Sequence, residues 1–349
     1  MNRNNFAKAF SSKVGAPLTL FALVLSFSLS SSAFAANKPK IGFVLSTLQE
    51  ERYQKDQKFF KEEAEKLGFE PVMVSAENNE QTQTAKVENL LSIGVKAIVI
   101  QPVNSEAAGN LVKLAHDDKV PVVAYDRMIT NAPVDFYVTQ DSFKVGVLQA
   151  EEAVRKTGGK GNYIILMGQA GHSVANEITR GVLSVLEKHP GIKVVVKKNH
   201  EGWSSNLAMA TVENALTQYN NKVDAILANN SGMATGAVQA LAEQGLAGKV
   251  FVAGADADLA AIKDIVAGRQ QFEVLKDIAP LAQGAAKVAF ELATGKKPTP
   301  SRTIDSGTYK VPVTDTPVYA ITKANLEEKI FKSGFHTKEA VYGKGKKTL

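Results

Sequence analysis

The sequence predicts an α/β fold: two doubly wound parallel-sheet lobes joined by a multi-strand hinge. Three observations carry this reading. From Lys40 onward, short apolar runs rich in Val and Ile alternate with longer amphipathic stretches, the pattern of repeated βαβ units. The runs are mostly unbroken rather than alternating, as strands covered on both faces require. The repetition also continues past Gly268, too far for one five- or six-stranded sheet. That leaves a TIM barrel or two consecutive doubly wound domains. The segment Asp135–Gln140 favours the second, because it is a short apolar strand following Tyr125-Asp126-Arg127 with no helix between, as a bridge between lobes would be.

Residues 1–35 have a basic start (Arg3, Lys8, Lys13), an apolar stretch from Leu18 to Leu25, a serine-rich run and Ala33-Phe34-Ala35. This is the layout of an export signal peptide cleaved after Ala35. A membrane anchor is the alternative, but serines 26, 28, 30, 31 and 32 interrupt the apolar run before the roughly 20 residues a span needs. Strand Ile41–Leu45 comes next, followed by the amphipathic stretch Glu51–Leu67 and Gly68. A glycine just past a helix suits the left-handed C-terminal cap, and Gly94, Gly158, Gly245, Gly268 and Gly295 repeat that punctuation. Strand Pro71–Val74 leads to helix Gln81–Ile93, strand Ala97–Ile100 to helix Ser105–Asp117, and strand Pro121–Tyr125 to the bridge strand. The second lobe continues as helix Val145–Lys156, strand Tyr163–Met167, helix Glu177–Lys188, strand Lys193–Val196 and helix Asn206–Tyr219. Strand Ala225–Leu227, helix Ala234–Glu243 and strands Val250–Ala253 and Phe272–Leu275 complete it. After Lys276 the pattern reverts to one helix, Leu281–Thr294, and an irregular stretch with Pro298, Pro300, Pro312 and Pro317, where the chain crosses back. The expected division is 36–144 plus 277–312 for the first lobe and 145–276 plus 313–349 for the second, with a ligand cleft between them.

Composition narrows the chemistry. The 349 residues are 44% hydrophobic and 22% charged, a globular balance with room for two domains of roughly 100–200 residues each. Cysteine is absent, which excludes disulfides, thiolate metal sites and a cysteine nucleophile. The net charge of +6 falls to 38 basic against 35 acidic residues once residues 1–35 are set aside, so nothing suggests nucleic acid. The lysines at 344, 346 and 347 are most simply a solvated tail. There is no GxxxxGK[ST], HExxH or GxSxG motif, and the five histidines lack metal-ligand spacing. Gly158-Gly159-Lys160-Gly161 precedes a strand and is a turn, while Gly168-Gln169-Ala170-Gly171 lacks the third glycine of a dinucleotide loop. No metal, cofactor or catalytic constellation is expected, so an enzyme is disfavoured.

In open parallel sheets, ligands lie beyond the carboxyl ends of the strands. There the chain places Gln101, Asp126-Arg127, Gly168-Gln169, Asn229-Asn230, Asp256 and Lys276. Helix capping alone accounts for Asn230-Ser231, Asp258 or Ser105, but less well for Arg127 and Lys276. His172 is the one histidine on a strand-end loop, where a turn role competes with a site role. Trp203, the single tryptophan, follows Glu201-Gly202 and is either a core anchor or a ring for stacking. Planar hydrogen-bonding groups and an aromatic face suit a sugar, whose hydroxyls take bidentate partners and whose C–H faces pack on rings.

The residues then carry a resemblance. Glu51-Arg52-Tyr53-Gln54-Lys55-Asp56, Ala124-Tyr125-Asp126-Arg127-Met128-Ile129, Asp135-Phe136-Tyr137, Gly202-Trp203, Asp256-Ala257-Asp258-Leu259-Ala260 and Ser333-Gly334-Phe335-His336 resemble the periplasmic sugar-binding proteins of the ribose-binding type, closest to the D-xylose branch serving ABC importers. The likeness runs from about Lys40 to His336. It implies the type I periplasmic binding protein fold, a periplasmic monomer and no cofactor. It also implies a monosaccharide ligand contacted by Arg52, Asp126, Arg127, Trp203, Asn230, Asp256 and Lys276. The implied partner is an inner-membrane ABC permease, with a chemoreceptor or sensor kinase as alternatives that the sequence does not separate. A LacI-type repressor shares the fold, but the export signal stands where its DNA-binding headpiece would be. Two departures matter. Ser173-Val174-Ala175 stand where the family has an Asp-Asn-Asn cluster, and Ser231 where it usually has Asp. Arg52, Arg127 and Lys276 then face only Asp126 and Asp256 among matched positions. A buried unpaired cation costs several kcal/mol, so an unmatched acid such as Glu177 or Glu201 offsets it, or the ligand is an acidic sugar.

Overall fold

A computed structural model of the chain describes residues 38–343; the export segment and the terminal lysines lie outside them. The first lobe opens with β1 (Lys40–Leu45), α1 (Arg52–Leu67), β2 (Glu70–Ser75), α2 (Glu80–Ser92), β3 (Ala97–Ile100), α3 (Gly109–Asp117), β4 (Val122–Tyr125) and β5 (Phe136–Gln140). The second follows with α4 (Ser142–Thr157), β6 (Lys160–Met167), α5 (Ser173–Leu186), β7 (Gly191–Asn199), α6 (Ser205–Gln218), β8 (Ala225–Ala228), α7 (Ser231–Glu243), β9 (Phe251–Ala255), α8 (Leu259–Val266) and β10 (Phe272–Lys276). The chain then runs through α9 (Ile278–Ala293), β11 (Arg302–Ser306), β12 (Tyr309–Thr316), β13 (Val318–Ile321) and α10 (Lys338–Tyr342).

The two sheets are ordered β11-β12-β5-β4-β3-β1-β2 and β13-β10-β9-β8-β6-β7. Their first five strands follow one plan: second, first, third, fourth, fifth. All neighbours within that plan are parallel, and β12 extends the first sheet in parallel with β5. Only β11, against β12, and β13, against β10, are antiparallel. Strands β3, β4, β8 and β9 are buried throughout, which is why they appear in the sequence as unbroken apolar runs.

Between the layers of the first lobe lies an aromatic stack. Phe43 and Phe60 have ring centroids 4.4 Å apart, Tyr125 meets Phe43 edge-on, and Phe69 links Phe60 to Phe290 of α9. In the second lobe α4 and α5 approach through glycines: a Cβ on Gly146 would lie 1.9 Å from the Ile178 carbonyl oxygen, and one on Gly181 2.1 Å from that of Phe143.

Three segments join the lobes, and they correct the expected boundaries. The first crossing is at Asp141, which caps α4 by accepting from the Lys144 N–H. Helix α4 packs on β9 and β10, so residues 142–144 belong with the second sheet. The second crossing is at Asp277, which caps α9. The third is at Pro317, because Val313 through Thr316 still pair with Tyr137 through Gln140 of β5; residues 313–316 are in the first sheet, not the second. The prolines after α9 mask ordered strands rather than an irregular stretch. Pro312 lies in β12 one residue before its register with β5 begins at Val313, so its missing N–H removes no bond from that ladder.

Candidate ligand-binding cleft

Asp126 and Asp256 occupy equivalent places. Each follows the fourth strand of its lobe, each has left-handed backbone (φ 60° and 95°), and each donates its N–H to the next strand, to Val138 and Val274 respectively, at 2.9 Å. This geometry carries both carboxylates off the strand ends and into the space between the lobes. Arg52 at the start of α1 and Lys276 at the end of β10 lie between them. Arg52 Nη1 is 3.2 Å from Asp126 and 3.7 Å from Asp256; Lys276 Nζ is 3.1 Å from Asp256 and 3.8 Å from Asp126. Each cation therefore meets the aspartate of the opposite lobe as well as its own. Burial opposes ionisation of Asp126, but Arg52, Lys276 and Arg127 outweigh it and hold its carboxyl well below the usual carboxylate range.

Arg127 forms the second half of the cleft. Its Nη1 donates to Ser46 Oγ at 3.0 Å and to the Pro102 carbonyl at 3.2 Å, and its Nη2 to Tyr53 Oη at 3.0 Å. Gln101 donates to Asp126 Oδ2 at 3.0 Å and to Tyr53 Oη at 3.3 Å, which links the two halves. Trp203 stands across from Arg127, whose guanidinium carbon lies 5.9 Å from the ring centroid. The indole rests on Gly168, where a Cβ would meet the ring at 2.4 Å. Its Nε1–H donates to His172 Nδ1 at 2.7 Å. An indole only donates, so His172 Nδ1 is the acceptor and the imidazole proton sits on Nε2. Burial and then Arg127 push the His172 pKa down to about 2.

Asn230 belongs to the same loop tier but acts differently: its Oδ1 caps α7, accepting from Met233 N–H at 2.9 Å. Among the described residues no hydrogen bond joins it to the charged cluster. Asp258, open to a capping reading, makes no side-chain cap on α8. Ser105 accepts instead from the Ser173 N–H across the cleft at 3.1 Å.

The expected shortage of acid is made good by residues other than those proposed. Glu177 pairs with Arg180 on the surface and Glu201 is exposed. Asp56 supplies the missing charge, one helical turn after Arg52: its Oδ2 accepts from Arg52 Nε at 3.4 Å and its Oδ1 from Tyr125 Oη. Burial raises the Asp56 pKa, while the adjacent Arg52 guanidinium and the Tyr125 hydroxyl favour its carboxylate form. Glu50 adds a carboxyl near Arg127 and Arg52, its pKa also raised by burial. The spacing of Arg52 and Asp56 marked this pair in the sequence; the roles of Gln101, Tyr53 and Ser46 depend on strand order and carried no such mark. At the other departure, Val174 and Ala175 face the core of the second lobe. Ser173 faces the first lobe, its Oγ accepting from the Met128 N–H at 2.8 Å. Ser105 N–H to Gly171 O (3.2 Å) and Leu259 N–H to Glu51 Oε2 (3.0 Å) add further bonds between the lobes.

Two polar atoms of the cluster, Arg52 Nη2 and Asp256 Oδ1, are buried without a hydrogen bond among the described residues. One is a donor, the other an acceptor.

Comparison with known proteins adds four findings. Residues 41–297 match the periplasmic binding protein domain. The chain is 41% identical over 320 residues to the D-xylose-binding periplasmic protein of Escherichia coli K12, covering 91% of this chain and 97% of that one. It is 31% identical to a multiple sugar-binding periplasmic receptor of Rhizobium radiobacter, covering 87% and 92%. Among solved structures, a carbohydrate transporter solute-binding protein of Chloroflexus aurantiacus, in complex with D-glucose, superposes with a TM-score of 0.80 at 28% identity, covering 87% of this chain and 98% of that one.

Proposed function

This chain belongs to the periplasmic binding protein family, and from that premise we propose that it is a non-catalytic receptor for a neutral aldose, D-xylose or a close relative. The observation that carries the reading is a pair of buried atoms without a hydrogen bond among the described residues: Arg52 Nη2, and Asp256 Oδ1, whose contacts are the ion pairs with Lys276 and Arg52. A sugar hydroxyl both accepts and donates, and one hydroxyl or two neighbouring ones would serve both atoms. A buried donor without a partner, as Arg52 Nη2 is, costs roughly 1–3 kcal/mol, so a ligand that accepts from it gains that much over one that does not. Asp126, Arg127 and Lys276 provide further charge-assisted contacts, Trp203 a ring beside them, and Asn230 the remaining edge.

With Asp56 and Glu50 beside the cations, an anionic ligand is not needed to balance charge. That favours a neutral sugar over a sugar acid. Because Asp126 and Arg127 come from one lobe, and Asp256 and Trp203 from the other, their combined binding energy is available only in the closed form. Ligand therefore shifts the population toward closure. The receptor acts in the periplasm as its relatives do, after removal of residues 1–35, and presents the closed form to an inner-membrane ABC permease.

The test uses the single tryptophan. Mature protein, refolded to strip copurified ligand, is titrated with D-xylose, other aldoses and sugar acids while Trp203 emission is followed, with calorimetry in parallel. Saturable binding of neutral aldoses is expected. Binding of sugar acids alone would overturn the neutral-ligand reading, and no binding by either method would overturn the receptor assignment to this sugar class.

A further inference from the structure

Asp256 would leave its turn without support, because it and Ala257 both hold left-handed backbone (φ 95° and 58°), a conformation that persists only where neighbours impose it. In the first lobe the equivalent Asp126 is held by two hydroxyls: Tyr137 Oη and Thr139 Oγ1 donate to its carbonyl at 2.8 and 3.0 Å. The second lobe uses a carboxyl instead. Glu273 on β10 is fully buried. Its Oε2 lies 3.1 Å from the Ala257 N–H and 2.8 Å from Ser231 Oγ, and its Oε1 accepts from Gln270 Nε2 at 2.6 Å. Strand β9 makes room for it: a Cβ on Gly254 would lie 2.1 Å from Glu273 Oε1.

The proton inventory is informative. Ser231 Oγ accepts from the Asp258 N–H at 3.1 Å and lies 2.8 Å from the Ala255 carbonyl, to which it can only donate. Its one hydrogen is then used. The remaining contact, to Glu273 Oε2, is a hydrogen bond only if Glu273 donates. We infer that Glu273 is kept as a neutral carboxylic acid and is a positioning residue, fixing the Ala255–Asp258 turn that aims Asp256 into the cleft. On the far side of the turn, His336 Nε2 lies 2.8 Å from the Ala257 carbonyl.

The electrostatic surroundings agree. The charged groups around the turn are Asp256 and Asp258 on it, Glu50, Glu51 and Arg52 across the cleft and Lys276 on β10; the two cations lie against Asp256, and the one charge that bears on Glu273 itself is Asp256, which opposes its ionisation. Burial pushes its pKa up to about 8. His336 is shifted downward, so its titration lies below the window in question. Above pH 8 Glu273 ionises, Ser231 must turn its hydrogen to the carboxylate, and Ala255 loses its donor while a second negative charge appears behind Asp256.

The inference rests on the receptor reading for its effect on binding, so the experiment has one arm that does not. In ligand-free protein, hydrogen exchange at Ala257 and Asp258, corrected for the intrinsic pH effect, should accelerate from pH 7 to 9 in wild type and not in Glu273→Gln. An equal profile in both overturns the inference. In the second arm, D-xylose affinity should fall about tenfold from pH 7 to 9, as expected if only the protonated form holds the turn and its midpoint lies near 8; Glu273→Gln should bind with a flat profile. If Glu273→Gln does not fold, the wild-type profiles decide, and flat ones overturn the inference. Sugar binding that ignores pH sinks Glu273 and leaves the receptor reading standing. Absence of sugar binding sinks the receptor reading, while the exchange arm still decides Glu273.

Discussion

Among the described residues Arg127 is the largest side chain to be fully buried, and its hydrogen bonds to oxygen all go to neutral atoms, of Ser46, Pro102 and Tyr53, with His172 Nε2 3.4 Å from its Nη1 and the Trp203 ring beside it. A guanidinium oriented this way is held ready for a ligand oxygen. Arg127→Ala should weaken sugar binding well over tenfold, since bonds to charged groups contribute about 1.5–3 kcal/mol, with little change in the unfolding midpoint; unchanged affinity in calorimetry would remove Arg127 from the site. His172 makes a prediction of opposite kind. Its folded pKa, near 2, lies below the unfolded value of about 6.5, so the unfolded chain binds the extra proton first on acidification. The stability that neutral His172 supports is complete above pH 6.5 and is lost as pH falls toward 2, by up to about 1.4 kcal/mol per pH unit. His172→Gln, whose Oε1 can still accept from Trp203, should show a shallower decline in denaturant melts between pH 6.5 and 4. Polar residues at the ends of apolar runs marked Arg127, Asp126 and Asp256 in the sequence. His172 against Trp203 and Glu273 against Ser231 were not legible, because 31 and 42 residues separate the partners and only the strand order brings them together.

At the scale of elements, the alternation of buried strands and amphipathic helices was legible because parallel sheets need apolar residues on both faces. Helix starts were read late: α5 and α7 begin at Ser173 and Ser231, where the first turns Ser173-Val174-Ala175-Asn176 and Ser231-Gly232-Met233-Ala234 are short of large apolar residues and read as loop. The strands β11 and β12 were missed because prolines and exposed positions weaken the strand signal, although their partners supply the ladder. The glycines between α4 and α5 are a different case, since their reason lies in the other helix. Gly146→Ala should force these helices apart and destabilise the second lobe by at least about 1–3 kcal/mol, the usual cost of overpacking, whereas Gly68→Ala, with nothing within 4 Å, costs only its left-handed backbone. Thermal melts of the two variants separate steric from conformational effects.

For the whole molecule, closure is written into bonds that exist only when the lobes meet. Ser173 makes two of them, to Met128 and Ser105. Ser173→Ala removes the first and leaves Met128 N–H unpaired in the closed state, which should weaken sugar affinity about threefold or more for a net 0.5–1.5 kcal/mol while leaving unfolding of the open protein unchanged. An affinity equal to wild type would mean that closure does not draw on this contact.

The crossings at Asp141, Asp277 and Pro317 have a consequence for the order in which the chain can fold. The second lobe is nearly one continuous stretch from α4 to β10, so its core can close as soon as that stretch is available. The first lobe cannot: its aromatic layer is sealed by Leu281, Ala285 and Ala289 of α9, and its sheet is extended by β12, both of which come after the α4–β10 stretch in sequence. A chain emerging from its N-terminus therefore carries an unsealed apolar face through most of its synthesis. The lobe that begins first must wait for the other's central stretch before its own core can seal, and during that interval it is the natural client of a chaperone.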